Sequence, residues 1–407
     1  MKRSSLLFIF ALCFCLVLSG CKKEVEQVPE EIEQVIINQV DDYSVLSVSE
    51  LEVLGYENDV EAQYQLGLIF EYGSDEQQQN FSEAFKWYAM AADNGSADAV
   101  CALGYFYMNG TGVGQDISLA EEKFDEAIEL GCVNANVGKA RCLLTTIEIP
   151  ELTLVDGVYT IAINDYAIQE DEEVSDEVLA DVANRAMIYE LVNEAASKND
   201  LDGLYLLGYL YEHGIGCDFN LATAMRYYAL VSESDSLDMR DQYAINSADV
   251  ELGIMYLKGI GIELDTEAAM VYFNKANDNG YAPAAYYLGQ IYENGIGVDK
   301  AYDKAMEYYL MAAEKEFAPA LNQIGYLYYN GYGVDVDFSS AVYYQKLAAL
   351  QGYAPAQVNL GYLYENGYGV ERNLQTAVSY YELAAEAGYE GAEEAVVRVM
   401  AQINEET

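Results

Sequence analysis

Four tyrosines, Tyr105, Tyr209, Tyr326 and Tyr362, each follow a Leu-Gly or Ile-Gly pair in stretches that read almost alike: "LGYFYMNGTGV", "LGYLYEHGIG", "IGYLYYNGYGV" and "LGYLYENGYGV". Four residues past the glycine of such stretches stands an acid at Glu71, Glu212, Glu293 and Glu365, and one residue further an amide at Asn294, Asn330 and Asn366. Aromatic area, amide hydrogen bonding and negative charge on a repeated frame suit the non-covalent holding of a peptide. Bond-making chemistry is poorly provided for. The chain has one histidine, His213, at the place where Asn usually stands, so no hydrolase triad assembles around it. The Gly-x-Gly runs follow helical patterns instead of preceding them, so they do not form a phosphate loop. There is no Cys-x-x-Cys, and zinc is not expected. The acidic run "QEDEEVSDE" (169–177) lacks the Asp-x-Asp-x-Asp-Gly spacing of a calcium loop and reads as a solvated linker, with Ser175 capping the next helix. Neither enzymatic activity, a metal nor a cofactor is expected.

Positioning those residues requires a repeated element. With the mid-stretch glycine as marker, the series runs Gly67, Gly104, Gly208, Gly253, Gly289, Gly325, Gly361, with gaps of 37, 104, 45, 36, 36 and 36 residues. Only the gap of 104 asks for an explanation: a disguised unit with Ala140 at the marker and Ala135 five places before it makes eight. Each unit reads as helix, Gly-x-Gly turn, helix. In the last, Ala356 to Tyr364 is apolar at helical spacing, Gly367 and Gly369 supply positive φ for the reversal, and Ala377, Tyr380, Tyr381, Ala384 and Ala385 share one face of the second helix. A glycine inside a helix costs about 1 kcal/mol against alanine, so the recurring marker predicts close approach of a neighbouring helix through small residues such as Ala377 and Ala384.

At 100° per residue, positions −5, −1, 0, +2 and +3 from the marker turn to the core, and −3, +1 and +4 turn away. The tyrosines at +1 and the glutamates at +4 are therefore expected to line the inner wall of the stack as a partner-binding groove. The third unit is interrupted: marker to Ala-Ala takes 23 residues in the last unit (Gly361 to Ala384) but 55 in the third (Ala140 to Ala195), an insertion of 55 − 23 = 32. Within it, Asp156-Gly157 between alternating β-branched residues predicts a β-hairpin in the insertion, about 145–175.

Sixty-eight acidic against 20 basic residues give a net charge of −48, which argues against nucleic acid and against anionic lipid and favours a basic partner. Lys2 and Arg3, the apolar run 6–18, and Leu18-Ser19-Gly20-Cys21 resemble a bacterial lipoprotein signal (1–20) with Cys21 as the lipidated residue. Residues 21–48 read as an acidic tether, and 49–403 as the stack of about eight units. The expected location is the extracytoplasmic cell envelope, anchored by lipid alone, on the outer membrane if the cell has two. Cys101, Cys132, Cys142 and Cys217 fall at different points of the repeat and are expected as free thiols.

The run "APAQVNLGYLYENGYGVERNLQTAVSYYELAAEAG" (354–388) carries Ala, Leu-Gly, Tyr, Gly-x-Gly-Val, Ala, Tyr and Ala-Ala-x-x-Gly in the order of the Sel1-like repeat family, relatives of the tetratricopeptide repeats. The resemblance extends over about 56–395; the first unit departs from it, with "GSDEQQQN" in place of the Gly-x-Gly turn. It implies an all-α, right-handed superhelical solenoid acting as a protein–protein interaction scaffold or adaptor, here monomeric. Two alternatives stand beside that reading. Tyrosine stacking suits cell-wall glycan or peptidoglycan stems. Cysteine-rich relatives are described as β-lactamase-like hydrolases, but they carry a cysteine pair in each unit and this chain does not.

Overall fold

The computed structural model describes residues 43–74, 77–155, 158–161 and 176–406. The signal segment with Cys21, most of the tether, Asp156-Gly157 and the acidic run 169–175 with Ser175 lie outside the described residues. The chain forms two compact bodies, one ending at Gln115 and one starting at Asp116. The first holds α1 (Val48–Tyr56), α2 (Val60–Tyr72), α3 (Phe81–Asp93) and α4 (Ala97–Asn109). The second holds α5 (Ile117–Glu129), α6 (Asn134–Leu144), strands β1 (Leu152–Val155) and β2 (Val158–Ile161), α7 (Asp176–Ser197), α8 (Leu201–His213) and α9 (Leu221–Ser232). It continues with α10 (Met239–Lys258), α11 (Thr266–Asp278), α12 (Ala282–Asn294), α13 (Tyr302–Ala313), α14 (Ala318–Asn330), α15 (Phe338–Leu350), α16 (Ala354–Asn366), α17 (Leu374–Glu386) and α18 (Ala392–Glu406). Eighteen helices and one hairpin among the described residues make an all-α solenoid of helix pairs with a β-hairpin insertion.

Local chemistry sets the ends of each pair. Most second helices start on an Asn or Asp whose side chain accepts an amide of the first turn, as Asn373 does from Thr376 N at 3.0 Å and Asp265 from Ala268 N at 3.0 Å. First helices α12, α14 and α16 start with a proline in the first turn, where no intrahelical partner is lost. They end on a left-handed glycine, such as Gly367 at φ 72°, whose N–H reaches back to the Leu363 carbonyl. The second turn glycine does a different job. A Cβ on Gly297 would stand 2.7 Å from Cβ of Thr266, and one on Gly333 would stand 2.8 Å from Cβ of Tyr302. In both cases the neighbour is the first residue of the preceding unit's second helix. This glycine is therefore the joint through which one unit seats on the one before it.

The core of the first body gathers Leu51, Leu54, Leu66, Trp87, Tyr88 and Phe106. Gln63 is buried there and fully engaged, donating to the Gly55 carbonyl at 2.7 Å and accepting from Asn94 at 2.9 Å. The second body opens on a large cluster from Val137 to Ile260 and continues in smaller ones, each shared by neighbouring helices. The disguised third unit is the pair α6 and α7. Ala135, Ala140 and Ala195 are fully buried, as the alignment with the other units requires. Between those helices β1 and β2 pair antiparallel from Leu152↔Ile161 to Val155↔Val158, a register that closes over two residues. Leu152 and Tyr159 pack on the core, Tyr159 Oη donates to the Lys258 carbonyl at 3.1 Å, and Leu154, Val155 and Val158 face solvent. The gap of 45 also has a structural cause: α10 runs 20 residues where most helices run 13, adding two turns at its N-terminus. Among the described residues Cys101, Cys132, Cys142 and Cys217 are free thiols.

Candidate partner-binding face

The marker glycine makes room for a ring, not for a small-residue helix contact. A Cβ on Gly289 would lie 2.5 Å from the Tyr309 ring, and one on Gly361 would lie 2.7 Å from the Tyr381 ring. Gly67 meets Tyr88, Gly208 meets Tyr228, and Gly253 meets the ring of Phe273 in the same way. Ala377 and Ala384 are buried, but they are not what the glycine accommodates.

The same tyrosines claim the glutamates expected in the groove. Tyr88 Oη donates to Glu71 at 2.6 Å, Tyr228 to Glu212 at 2.7 Å, Tyr309 to Glu293 at 2.5 Å and Tyr381 to Glu365 at 3.0 Å. Glu212, Glu293 and Glu365 are 7%, 8% and 8% exposed, so they are not a solvent-facing rim. The physical reason is angular. Position +4 lies only about 40° from the marker on a helix of 3.6 residues per turn, close enough for a carboxylate to fold back over the glycine. Burial and then the facing carboxylate hold all four tyrosine hydroxyls well above their ordinary range, which keeps the donor proton in place. Burial opposes ionisation of Glu365, but Arg398, Tyr381 and Gln402 outweigh it and hold the carboxyl below the usual range. Arg398 forks onto both of its oxygens, one contact at 3.0 Å.

The chain obeys a pairing rule at these two places. Where +4 is Glu, the second helix supplies Tyr. Where it is Leu257 the partner is Phe273, and in the third unit Leu144 goes with Val192. The second unit has Met108 and Phe124 at the corresponding sequence positions. In the seventh, with Tyr329 at +4, Gln345 takes the ring's place over Gly325 and donates to the Asn322 carbonyl at 3.0 Å.

The tyrosines at +1 remain outward. Tyr326 and Tyr362 are 42% and 43% exposed, and Tyr362 lies edge-on to Tyr329 with centroids 6.0 Å apart. Tyr105 and Tyr209 are half-buried, and Tyr209 stacks on His213 at 4.1 Å. His213 is the last residue of α8, with its Nδ1 3.1 Å from the Tyr209 carbonyl. Asn294, Asn330 and Asn366 each turn Nδ2 back to the carbonyl four residues earlier, on Gln290, Tyr326 and Tyr362, at 2.9 Å. They finish their helices and keep little for a partner.

A feature outside the expected set is a cavity of about 420 Å³ in the second body. Its walls carry Tyr205, Tyr281, Tyr286, Tyr287, Phe317 and Tyr353, and Glu251 stands among them. Tyr281, Phe317 and Tyr353 are the cap residues of α12, α14 and α16, so the recurring unit places an aromatic at each cap along the same side. Tyr205 and Tyr286 occupy −3, one of the positions expected to face outward, and Ile254 at +1 joins them. Glu251 and Tyr287 occupy −2, which lies about 160° from the marker and belongs to this face as well. Among the described residues no group of three or more His, Cys, Asp and Glu side chains could hold a metal, and no helix is long and apolar enough to cross a membrane.

Seven stretches, residues 60–96, 97–132, 201–235, 247–281, 282–317, 318–353 and 354–389, match the Sel1 repeat family, and the chain belongs to it. The pair α6 and α7 is not among them. Sel1 repeat proteins act as protein–protein interaction scaffolds. A Sel1 repeat protein from Oxalobacter formigenes is similar in structure, 22% identical, with 94% of this chain and 98% of that one covered and a TM-score of 0.49. A protective antigen of uropathogenic Escherichia coli with the same kind of fold is 20% identical over 88% and 91% of the chains, TM-score 0.28. An immunity protein from Pseudomonas aeruginosa is 16% identical over 73% and 83%, TM-score 0.30. No curated protein matches.

Proposed function

We propose that this protein is a lipid-anchored scaffold of the bacterial envelope that holds a polypeptide partner on the tyrosine-lined side of its first helices, without catalysing a reaction. The observation that carries the reading is the cavity between Tyr205 and Tyr353. Aromatic anchors in a concave, partly desolvated site are where interface energy concentrates. Tyr326 and Tyr362 extend the aromatic side on α14 and α16. The charge of −48 favours a basic partner, and the lipobox at Cys21 supports the anchor.

Affinity capture from the producing cell's own envelope extract tests it, with the wild-type chain beside Tyr286→Ala with Tyr353→Ala. A partner retained by wild type and lost by the pair, at unchanged circular dichroism, supports the reading. A partner indifferent to the pair removes this face from consideration, and retention of peptidoglycan fragments in place of a protein moves the function to the glycan alternative. Cys21→Ser should shift the protein from the detergent phase to the aqueous phase; a wild type already in the aqueous phase ends the anchor proposal.

A further inference from the structure

Two of the +4 carboxylates, Glu293 and Glu365, are answered from the following unit or helix as well as from their own tyrosine. Glu293 accepts from Gln323 Nε2 at 3.1 Å, and Gln323 stands at −2 of the next unit. Glu365, at the end of the stack, is met by Arg398 and Gln402 of the last helix. Between the fourth and fifth units the same position is Glu251, so an acid stands near Glu212 where those two places present an amide or a guanidinium. Glu251 is also the one acid in the wall of the aromatic cavity, and no Lys or Arg lines that cavity. Burial and then the Glu212 charge push its carboxyl up to about 8, against the opposing effects of Lys258 and the Tyr205 hydroxyl. Within the cavity wall Glu251 has a tyrosine hydroxyl beside it and no cation.

We infer that the cavity at Glu251 receives an arginine side chain of the polypeptide partner, its guanidinium paired with Glu251 and stacked on the surrounding tyrosine rings. The molecule holds one example of such chemistry: Arg398 is forked to Glu365 beside Tyr381. A planar guanidinium stacks on aromatic faces and forks to a carboxylate, which an ammonium does less well. This inference rests on the scaffold reading and names the chemistry of its partner.

The test uses the full chain in detergent at 0.15 M salt and a fluorescein-labelled, end-capped Gly-Ala-Arg-Ala-Gly peptide. Twins carry lysine, or citrulline, the neutral isostere of arginine, and binding is followed by anisotropy. Wild type should prefer the arginine peptide over the citrulline twin by about tenfold or more, and over the lysine twin by less. Glu251→Gln should abolish the preference, and Glu371→Gln, an exposed loop acid, should keep it. Equal binding of arginine and citrulline peptides, a preference that survives Glu251→Gln, or an equal loss in Glu371→Gln would each overturn the inference. A Glu251→Gln melting temperature below wild type would overturn it too, by making Glu251 a structural group. If an envelope partner is captured through Tyr286 and Tyr353 while no arginine preference exists, the scaffold stands and the arginine site falls; the reverse pattern separates them the other way.

Discussion

The fifth and sixth units, α10/α11 and α12/α13, solve one packing problem with opposite chemistry. Both lay an aromatic ring on a helical glycine, Phe273 on Gly253 and Tyr309 on Gly289, with a hypothetical Cβ 2.5 Å from the ring in each. Around the ring they differ. The fifth surrounds Phe273 with Leu257 and other apolar groups, and the sixth gives Tyr309 a buried carboxylate to donate to. The lesson is that the glutamate recurs because the tyrosine does. It satisfies a buried hydroxyl, and a unit without the hydroxyl does without the acid. A recurring charged residue in a repeat protein is therefore not by itself a mark of the binding side.

The comparison can be broken most strongly at the glycine. Gly253→Leu and Gly289→Leu should each cost about 3 kcal/mol or more in chemical denaturation, because neither ring can give way in a packed interior. Unequal losses would show that the acid, not the ring, governs the site. Next comes a double-mutant cycle. Glu293→Leu alone should cost about 2 kcal/mol, leaving the Tyr309 hydroxyl and the Gln323 amide short of an acceptor, and adding Tyr309→Phe should recover about half by turning the sixth unit into a copy of the fifth. Additive losses would sink the pairing rule.

A smaller effect belongs to Glu251. Its folded pKa of about 8 lies above the ordinary 4.5, so the native state binds the proton more tightly than the unfolded chain. The contribution of Glu251 to stability is then fully present below about pH 4.5 and is lost as pH rises through 4.5 to 8. Glu212, Lys258 and Tyr205 face the group, so the quantity to follow is the difference in melting temperature between wild type and Glu251→Gln. It should be near zero at pH 5 and favour the variant by pH 8.5; a constant difference would contradict the raised pKa. Smallest of all, Tyr326→Ala with Tyr362→Ala should move stability by about 0.5 kcal/mol each, since both side chains are about two-fifths exposed and touch neighbouring rings only at the surface. A larger loss would return them to the core.

Much of this was legible from spacing. The 36-residue period placed the turns of the later units, the Asp-Gly pair announced the hairpin on the insertion, and Ala135, Ala140 and Ala195 aligned a unit that the family pattern itself passes over. The site was read less well, for reasons of geometry. A helical wheel treats a side chain as a radial spoke, whereas Glu293 is long enough to curl back over a glycine that has no side chain to stop it. The ring that fills that space comes from 20 residues on, at Tyr309, beyond any single-helix pattern. The two-turn extension of α10 was hidden in a gap of 45 that looked like ordinary variation. Position −2, held by Glu251, lies about 160° from the marker, between the two sides that the wheel separates.

The joints at Gly297 and Gly333 have a mechanical meaning. The fifth to eighth units each rest on their predecessor through a contact in which a bare backbone meets the start of a helix, so stiffness and strain are passed on link by link. A methyl group at such a joint is a shim. It need not unfold anything; by tilting one link it redirects every link after it, and the offset grows with distance from the shim. Aromatics drawn from caps in three successive units, Tyr281, Phe317 and Tyr353, share one cavity wall only while those links keep their pitch. A shim at Gly297 or Gly333 would therefore read out as a detuned cavity in a protein that is still folded.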